Sequence, residues 1–188
     1  MNTGKPVKVV TGRRTVMSYL NVMEPRDPFN SGRPRYSVSL IIPKDDCETV
    51  EKIRAGIREA YEQGEATLRG SSGRTPALEA IHTPLRDGDL DRPHDPAYQN
   101  CWFITASNSR RPGVFDARRQ PILDPDELYS GIIGRASLNF FAYNRNGSRG
   151  IAAGLNAIQK LADGTPLGGG GRPEDDFDDG DGDGEFLG

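Results

Sequence analysis

The feature that restricts the fold most is a long alternating segment that runs into a tight turn near the C-terminal end of the chain. From Gly131 to Arg145, apolar side chains recur at every second position, which is typical of a strand with one buried face. Asn146-Gly147 is the preferred pair for a two-residue type I′ turn, and Gly150 to Leu161 is expected to return as the partner strand. The expected inner face holds Ala136, Leu138, Phe140 and Ala142, and the outer face holds Arg135, Ser137, Asn139, Phe141 and Tyr143.

Further strands are expected before this hairpin. Val7 to Val10 begins an apolar, β-branched segment, and Cys101 to Ala106 is another short strand. Arg35 to Ile42 alternates apolar and polar residues and ends at Pro43, because proline cannot donate to a strand ladder. In the segment after Thr15, the expected faces are Val16, Leu20 and Val22 on one side and Met17, Tyr19 and Asn21 on the other.

One amphipathic helix is expected between the strands. Asp45 with Glu48 three residues later resembles a capping box, and Gly64 is a natural stop. Cys47 is expected on the buried face as a small apolar residue. Gly56 inside the helix should cost about 1 kcal/mol relative to Ala, so packing is expected to support it. The apolar face comprises Val50, Ile53, Ile57 and Tyr61.

The order of these elements is two strands, a helix, a strand and a hairpin, which matches neither a repeated βαβ pattern nor a helical bundle. Residues 65–100 are irregular and are expected to form a long functional or mobile loop. We therefore expect a mainly β fold, a five-stranded OB-type barrel with one inserted helix, long loops and a disordered acidic tail. The expected OB domain spans 1–167, and 168–188 is expected to be a Gly-rich linker with a disordered acidic tail.

Charge is unevenly distributed along the 188 residues, although the formal net charge is only −3. Residues 172–188 carry one base and eight acids, a net charge of −7. Residues 1–171 carry the other 23 bases and 19 acids, a net charge of +4. A mildly basic body can bind phosphate, and the acidic tail can imitate phosphate.

Two roles fit the acidic tail. The first is a solvated segment that keeps the protein soluble, because blocks of like charge are often only that. The second is an interaction segment that recruits a protein partner and competes with the nucleic-acid backbone for the basic body. The residues expected to contact a partner are Asp178, Asp179, Asp181, Asp183, Glu185, Phe186 and Leu187.

Neither catalysis nor membrane insertion is indicated by the motifs. The chain has no Gly-rich phosphate loop and no Cys-x-x-Cys pair, so no cofactor, no bound metal and no enzymatic activity are expected. No run approaches the ~20 apolar residues of a membrane helix, and the start of the sequence lacks a secretory signal, so a cytoplasmic protein is expected. One enzymatic alternative stays open, a metal-dependent nuclease that uses the carboxylates of Asp87 to Asp95.

Binding of single-stranded nucleic acid accounts better for the outward-facing aromatic and basic residues. Stacking of a base on an aromatic side chain contributes about 1–3 kcal/mol, and arginine neutralises phosphate. The alternative is that Phe141 and Tyr143 cover a second small core under the 65–100 loop. For Trp102, alternation does not decide between core and surface. The expected nucleic-acid-binding residues are Arg35, Arg110, Arg111, Arg135, Phe141 and Tyr143, with Phe115 and Tyr19 as further candidates.

Several long motifs resemble a family of tailed-phage single-stranded-DNA-binding proteins that was first catalogued as a domain of unknown function. The matching stretches cover most of residues 5–170. They are RYSVSLIIPK at 35–44, PLRDGD at 84–89, RPHDPAYQNCWFITASNSRRPGVFD at 92–116 and ELYSGIIGRASLNFFAYNRNGSRGIAAGLNAIQKLADGTPLGG at 127–169.

The resemblance implies an OB fold that coats single strands during phage DNA replication, recombination or repair in the infected host cell, without catalysis. It also implies that the C-terminal tail recruits replication or recombination proteins. The tail ends Glu185-Phe186-Leu187-Gly188, which differs from the Pro-Phe end of the bacterial single-strand binders. An adaptor or virion protein that acts mainly through its tail is the remaining alternative, and the oligomeric state, a homodimer included, stays open.

Overall fold

The computed structural model describes residues 6–167, in which a ring of β-strands organises the chain. Residues 168–188, which carry the expected linker and tail, lie outside the described residues. The described strands are β1 (Val7–Val10), β2 (Thr15–Arg26), β3 (Arg35–Pro43), β4 (Leu85–Asp87), β5 (Cys101–Asn108), β6 (Gly113–Phe115), β7 (Ile133–Arg145) and β8 (Ser148–Ala162). The described α-helices are α1 (Cys47–Gln63), α2 (Glu65–Arg69) and α3 (Gly88–Asp91).

Five of these strands close into the ring, in the order β7, β2, β3, β5, β8 and back to β7. Neighbours are antiparallel except β5 and β8, which are parallel. Two seams are short: β2 meets β7 only at Thr15 and Val16, and β5 meets β8 at Ser107. This mainly β, five-stranded ring confirms the expected OB-type fold, although the short seams leave it less than a strict barrel.

The C-terminal hairpin of β7 and β8 confirms the strongest expectation from the sequence. Asn146 and Gly147 both have positive φ angles, 52° and 86°, as a type I′ turn requires. Ala136, Leu138 and Phe140 are buried in the main core. β1 extends the sheet beyond β7 and β6 extends it beyond β8, so the hairpin lies at the centre of the molecule.

Helix α1 packs its apolar face against the main core, as expected, but its start differs in detail. Asp46 rather than Asp45 caps the helix, and its carboxylate accepts the Thr49 amide N–H at 3.3 Å. Cys47 is exposed, so its expected place on the buried face is wrong. Gly56 has the close neighbour that was expected, because a Cβ there would lie 2.9 Å from the Phe140 ring.

Strand β2 contains a bulge that the alternation did not reveal. Ser18 pairs with Ser39 and Asn21 pairs with Ser37, so Tyr19 and Leu20 together oppose a single residue of β3. The extra residue reverses the alternation along the strand. Met17 is fully buried in the main core with Val22, whereas Val16 packs against a separate small core. The expected faces, with Val16, Leu20 and Val22 on one side and Met17 with Tyr19 and Asn21 on the other, are therefore wrong.

Residues 65–100 form short helical turns, α2, β4 and α3 rather than one long loop. Most of their apolar side chains, such as Leu68 and Leu85, pack against the main core, and Tyr98 joins Ile41 and Phe103 in a second small core. Neither Phe141 nor Tyr143 belongs to this small core, so the alternative in which these two residues cover it is wrong. Trp102 is half-buried against the main core, with the Lys44 ammonium and the Arg54 guanidinium 5.2 and 5.1 Å from its ring centre. Within residues 6–167, no helix is long and apolar enough to cross a membrane.

Candidate nucleic-acid interface

Small side chains form a continuous floor across the outer face of the ring. The backbone register places Ser37 opposite Ser107 and Ser39 opposite Thr105, and Ser107 is in turn paired with Gly154 of β8. These positions alternate with core residues such as Val38 and therefore point away from the main core. Because the floor residues are small, a flat ligand can approach the backbone of three neighbouring strands.

Aromatic and basic side chains stand at one end of this floor. Phe141 is 44% exposed, and its ring lies over Gly154, within 3.5 Å of where a Cβ would be. Tyr143 is half-buried, and its hydroxyl lies over Gly150. The Nε–H of Arg35 donates to the Ser107 hydroxyl at 3.2 Å. A cavity of about 300 Å³ brings together Arg35, Ser107, Phe141, Tyr143, Arg145 and Ala152.

A second aromatic and arginine pair stands at the other end of the floor. Tyr19 lies on the β2 bulge with a φ of 49°, and its ring is 50% exposed. A left-handed conformation costs a non-glycine residue about 1–2 kcal/mol, so the surroundings must hold it. One contact that stabilises this conformation is the hydrogen bond that the Tyr19 N–H donates to the Ser130 hydroxyl, at 3.0 Å. The Arg92 guanidinium lies 6.0 Å from the Tyr19 ring centre and 5.3 Å from that of Tyr98.

These two ends belong to one surface, which we call the outer groove. A second cavity of about 300 Å³ contains Tyr19, Arg92, Ser37 and Thr105, and Ser37 is directly paired with Ser107 of the first cavity. The outer groove therefore consists of Tyr19, Arg35, Ser37, Ser39, Arg92, Thr105, Ser107, Phe141, Tyr143, Arg145, Ala152 and Gly154.

The loop between β2 and β3 leads directly into Arg35 of the groove, and the Asp27 carboxylate holds its shape. Asp27 accepts the backbone N–H groups of Ser31 at 2.9 Å and of Gly32 at 2.7 Å, as well as the Ser31 hydroxyl. The Ser31 amide and the other donors lower the pKa of Asp27, because they stabilise its charged form. At the tip of this loop Phe29 is 90% exposed.

Two of the expected arginines lie outside the lining of the groove. Arg110 and Arg111 are exposed in the loop that follows β5. The Arg110 amide N–H donates to the Asn108 side chain at 3.0 Å, and the Arg111 guanidinium lies 3.1 Å from the Met23 sulfur of β2. They are therefore near the groove-forming strands, but their side chains do not line either cavity of the groove.

The remaining expected residues, Phe115 and Arg135, lie together in a different place. They line a cavity of about 550 Å³ at the base of the β7–β8 hairpin. Asn139 and Asn156 bond to each other through both side-chain amides, at 3.0 and 3.2 Å, and lie between this cavity and the outer groove. The sequence alternation had placed Arg135, Phe141 and Tyr143 on one face correctly, but this face carries two separate sites.

The carboxylates of the acidic stretch that a nuclease would use form ion pairs and hydrogen bonds within the fold. The Lys44 ammonium lies 2.8 Å from Asp87 and 2.7 Å from Asp89, which raises the pKa of Lys44 and lowers that of Asp89. Asp91 pairs with Arg86 at 2.8 Å, and Asp95 accepts the Ala97 amide N–H. Among residues 6–167, no three His, Cys, Asp or Glu side chains are grouped as a metal ion requires.

Sequence reasoning missed several groove residues. Arg92 lies in an irregular stretch with no periodicity, and only the fold brings it to Tyr19. The groove serines and Thr105 have no chemical signal of their own. Arg145 and Phe29 had usable signals, because Arg145 directly precedes the hairpin turn and Phe29 is an aromatic residue in a Pro/Gly-rich loop.

Comparison with known proteins points to one group of relatives. Residues 7–187 match the family model described as the ssDNA-binding protein of Enterobacter phage Enc34. Protein p50 of Acyrthosiphon pisum secondary endosymbiont phage 1 is 29% identical over 174 residues, which cover 87% of this chain and 89% of that protein.

Solved structures give the same group. The single-stranded DNA-binding protein from bacteriophage Enc34 in complex with ssDNA superposes with a TM-score of 0.67 and 27% identity, over 86% of this chain and 88% of the other. The gp2.5 single-stranded DNA-binding protein of bacteriophage T7 superposes with a TM-score of 0.61, over 88% of this chain and 97% of the other. At 14% identity, this second likeness concerns the fold alone.

Proposed function

Since this chain belongs to the family of the Enterobacter phage Enc34 ssDNA-binding protein, we propose that it binds single-stranded DNA, and that the strand lies in the outer groove. The observation that carries the location is the arrangement of the groove itself, with aromatic side chains at both ends of a floor of small residues. Tyr19 and Phe141 are both about half exposed, so each ring presents a surface on which a base can stack.

Stacking and charge are the two contributions that the groove makes. Bases stack on the rings of Tyr19, Phe141 and Tyr143, which tolerate any base because every base has a flat face. Arg35, Arg92 and the neighbouring Arg145 neutralise the phosphates. No carboxylate is among the groove residues named above, so the local charge is uniformly favourable for a polyanion.

Little sequence preference follows from this chemistry. The Ser39 hydroxyl is buried and bonded to the Tyr98 hydroxyl at 3.0 Å. The Ser37 and Thr105 hydroxyls can donate or accept, so they do not favour one base edge over another. The exposed guanidinium groups of Arg110 and Arg111 extend the positive surface past the end of β5. Phe29, held out by the Asp27 loop, adds one more ring at the border of the groove.

The cellular role that fits is protection of single strands during phage DNA replication, recombination or repair in the host cytoplasm. The protein binds DNA without catalysing a reaction. The acidic tail, with Asp178 to Leu187, recruits replication or recombination proteins and competes with DNA phosphates for the basic body, because tethering gives it a high effective concentration. Removing residues 172–188 therefore tightens DNA binding and abolishes recruitment of the partner.

The test is a salt titration of the full-length protein against fluorescent single-stranded DNA, double-stranded DNA and RNA of equal length. We expect single-stranded DNA to bind most tightly, with a log–log salt slope of about −0.7 for each phosphate contacted. Equal affinity for single and double strands at every salt concentration would contradict the stacking mechanism.

Controls separate the two parts of the proposal. The Phe141→Ala variant should lose affinity for every single-stranded sequence. The control variant Lys52→Ala, which changes an exposed residue of α1 outside the groove, should not. The chain without residues 172–188 should bind more tightly at low salt and converge on the full-length protein as salt rises. Identical salt curves for the two chains would refute the competition by the tail.

A further inference from the structure

The cavity at the base of the β7–β8 hairpin, which we call the basal cavity, has no role in the groove described above. We propose that it is the docking site for this chain's own acidic C-terminal segment, with the Phe186 side chain as the apolar anchor. The residues that define the basal cavity are Val10, Phe115, Arg119, Arg135, Ala157 and Gln159.

Hydrogen bonds between side chains and backbone hold the walls of the cavity in place. The Arg135 side chain donates through Nε and Nη2 to the Gln159 amide oxygen, at 3.0 and 2.9 Å. The Gln159 amide nitrogen donates in turn to the backbone carbonyls of Asp116 and Ala117, at 3.2 and 3.3 Å. These bonds tie the hairpin to the loop that follows β6, so the two walls of the cavity are held at a set separation.

That loop is itself closed by one carboxylate. Asp116 accepts the amide N–H groups of Arg118 and Gln120, at 2.8 and 2.9 Å. Arg119, between them, has a φ of 64° and is exposed at the mouth of the cavity. The Asp116 carboxylate therefore maintains the loop, and the charge that the lining presents is that of Arg119 and Arg135.

The lining differs from the floor of the outer groove in chemistry. Val10 is 44% exposed and Ala157 is half-buried, while Ala136 and Ile158, also in the lining, are almost fully buried. The Phe115 ring lies back over Gly113, 2.6 Å from where a Cβ would be, and so forms a wall. A cavity of about 550 Å³ with an apolar floor and two arginines at its sides suits an aromatic side chain flanked by carboxylates.

The C-terminal segment of this chain has that chemistry. Glu185 directly precedes Phe186 and Leu187, and the segment from 172 onward has a net charge of −7. The described chain ends at Leu167, whose amide N–H donates to the Ser130 carbonyl near the base of the hairpin. From Gly168 to Phe186 there are 19 residues, which can span about 60 Å at ~3.3 Å each. A domain of this size has a radius of gyration of about 15 Å, so the segment can reach the cavity.

Docking at this place has a consequence that rests on the proposed function. The basal cavity and the outer groove share one face of the hairpin, separated by the Asn139–Asn156 pair. Under this proposal, docking of Phe186 holds the adjacent Glu185 on the same face of the hairpin as the groove, where its charge repels DNA phosphates. The apolar anchor, rather than charge alone, determines how strongly the tail competes.

The experiment uses the full-length chain with p-benzoylphenylalanine in place of Phe186, which forms covalent crosslinks to neighbouring C–H groups on illumination. Mass spectrometry should find the crosslinks in residues 7–10 and 113–121. Val10→Ser and Arg119→Ala should each reduce the crosslinked fraction at least threefold, and Phe141→Ala, in the groove, should leave it unchanged. Crosslinks at Ala152 or Tyr143 instead, or no crosslinking above that of the same probe at Phe177, would overturn the proposal.

A second measurement follows the consequence for DNA. Phe186→Ala should tighten binding to single-stranded DNA about threefold at low salt, while the matched change Phe177→Ala, in the same acidic segment, should not. Equal effects of the two changes would show that no specific anchor exists. Loss of DNA binding by the groove variants tests the proposed function separately, so a failure of the anchor and a failure of the groove are distinguishable.

Discussion

The outer groove and the basal cavity lie on the same face of one hairpin and contain the same kinds of residue, yet they suit different ligands. Each combines an aromatic ring with arginines. The groove has a floor of serine, threonine, alanine and glycine that crosses β3, β5 and β8, which suits a continuous strand. The cavity has an apolar floor and walls tied by Gln159, which suits a single inserted side chain. The floor, more than the aromatic and basic residues, distinguishes the two sites.

The largest expected effect comes from removing a ring at each end of the groove. Tyr19→Ala with Phe141→Ala should weaken single-stranded DNA binding by about 2–6 kcal/mol, because each stacked base contributes about 1–3 kcal/mol. Fluorescence anisotropy with several base compositions measures the loss. The matched control is Phe115→Ala in the basal cavity, which should not weaken DNA binding. A comparable loss for Phe115→Ala would mean that the DNA path includes the basal cavity.

A single ring near the hairpin turn should have the next largest effect. Tyr143→Ala should weaken binding by about 1–3 kcal/mol for every sequence, because stacking does not discriminate between bases. Oligonucleotides of thymine, cytosine and adenine provide the comparison. A loss confined to one of these sequences would indicate base readout, and an unchanged affinity would place the strand away from this end.

Arginine removal should act mainly through the salt dependence. Arg92→Ala, in the groove, should reduce the magnitude of the log–log salt slope by about 0.7, which corresponds to one phosphate of a single strand. Arg111→Ala should have the same effect if the strand continues past β5, since Arg111 is exposed there. Arg119→Ala at the basal cavity is the matched control and should leave the slope unchanged in a chain without residues 172–188.

The smallest effect should come from the loop that carries Phe29. Protonation of Asp27 should release the loop. Because the pKa of Asp27 is lowered in the folded state, its hydrogen bonds stabilise the loop at pH values above the ordinary Asp pKa of about 3.9. This stabilisation is lost as pH falls through the lowered pKa. NMR titration of the Phe29 ring resonances measures this transition. Between pH 5 and 8 the loop should not change, and a transition in that range would contradict the role of Asp27.

The sequence by itself determined the regular parts of the fold. The hairpin of β7 and β8, its Asn146-Gly147 turn and the alternation in β3 depend on neighbouring residues, because strand periodicity and turn geometry are local properties. The OB-type fold was also predicted from the order of the elements along the chain. Phe141, Tyr143 and Arg35 were predicted as site residues for the same reason, since outward positions on a regular strand can be counted.

Only the tertiary structure decided which of these residues meet. The β2 bulge reverses the alternation at Tyr19, and no residue type marks an extra residue in a strand. Asp46 and Asp45 are equally good caps by residue type, and the folded helix begins with Asp46 as its cap. Arg92 reaches Tyr19 from a distant irregular segment, and the Asn139–Asn156 pair divides one face into two sites. These contacts join residues far apart in the chain, so the closure of the ring determines them and local pattern does not.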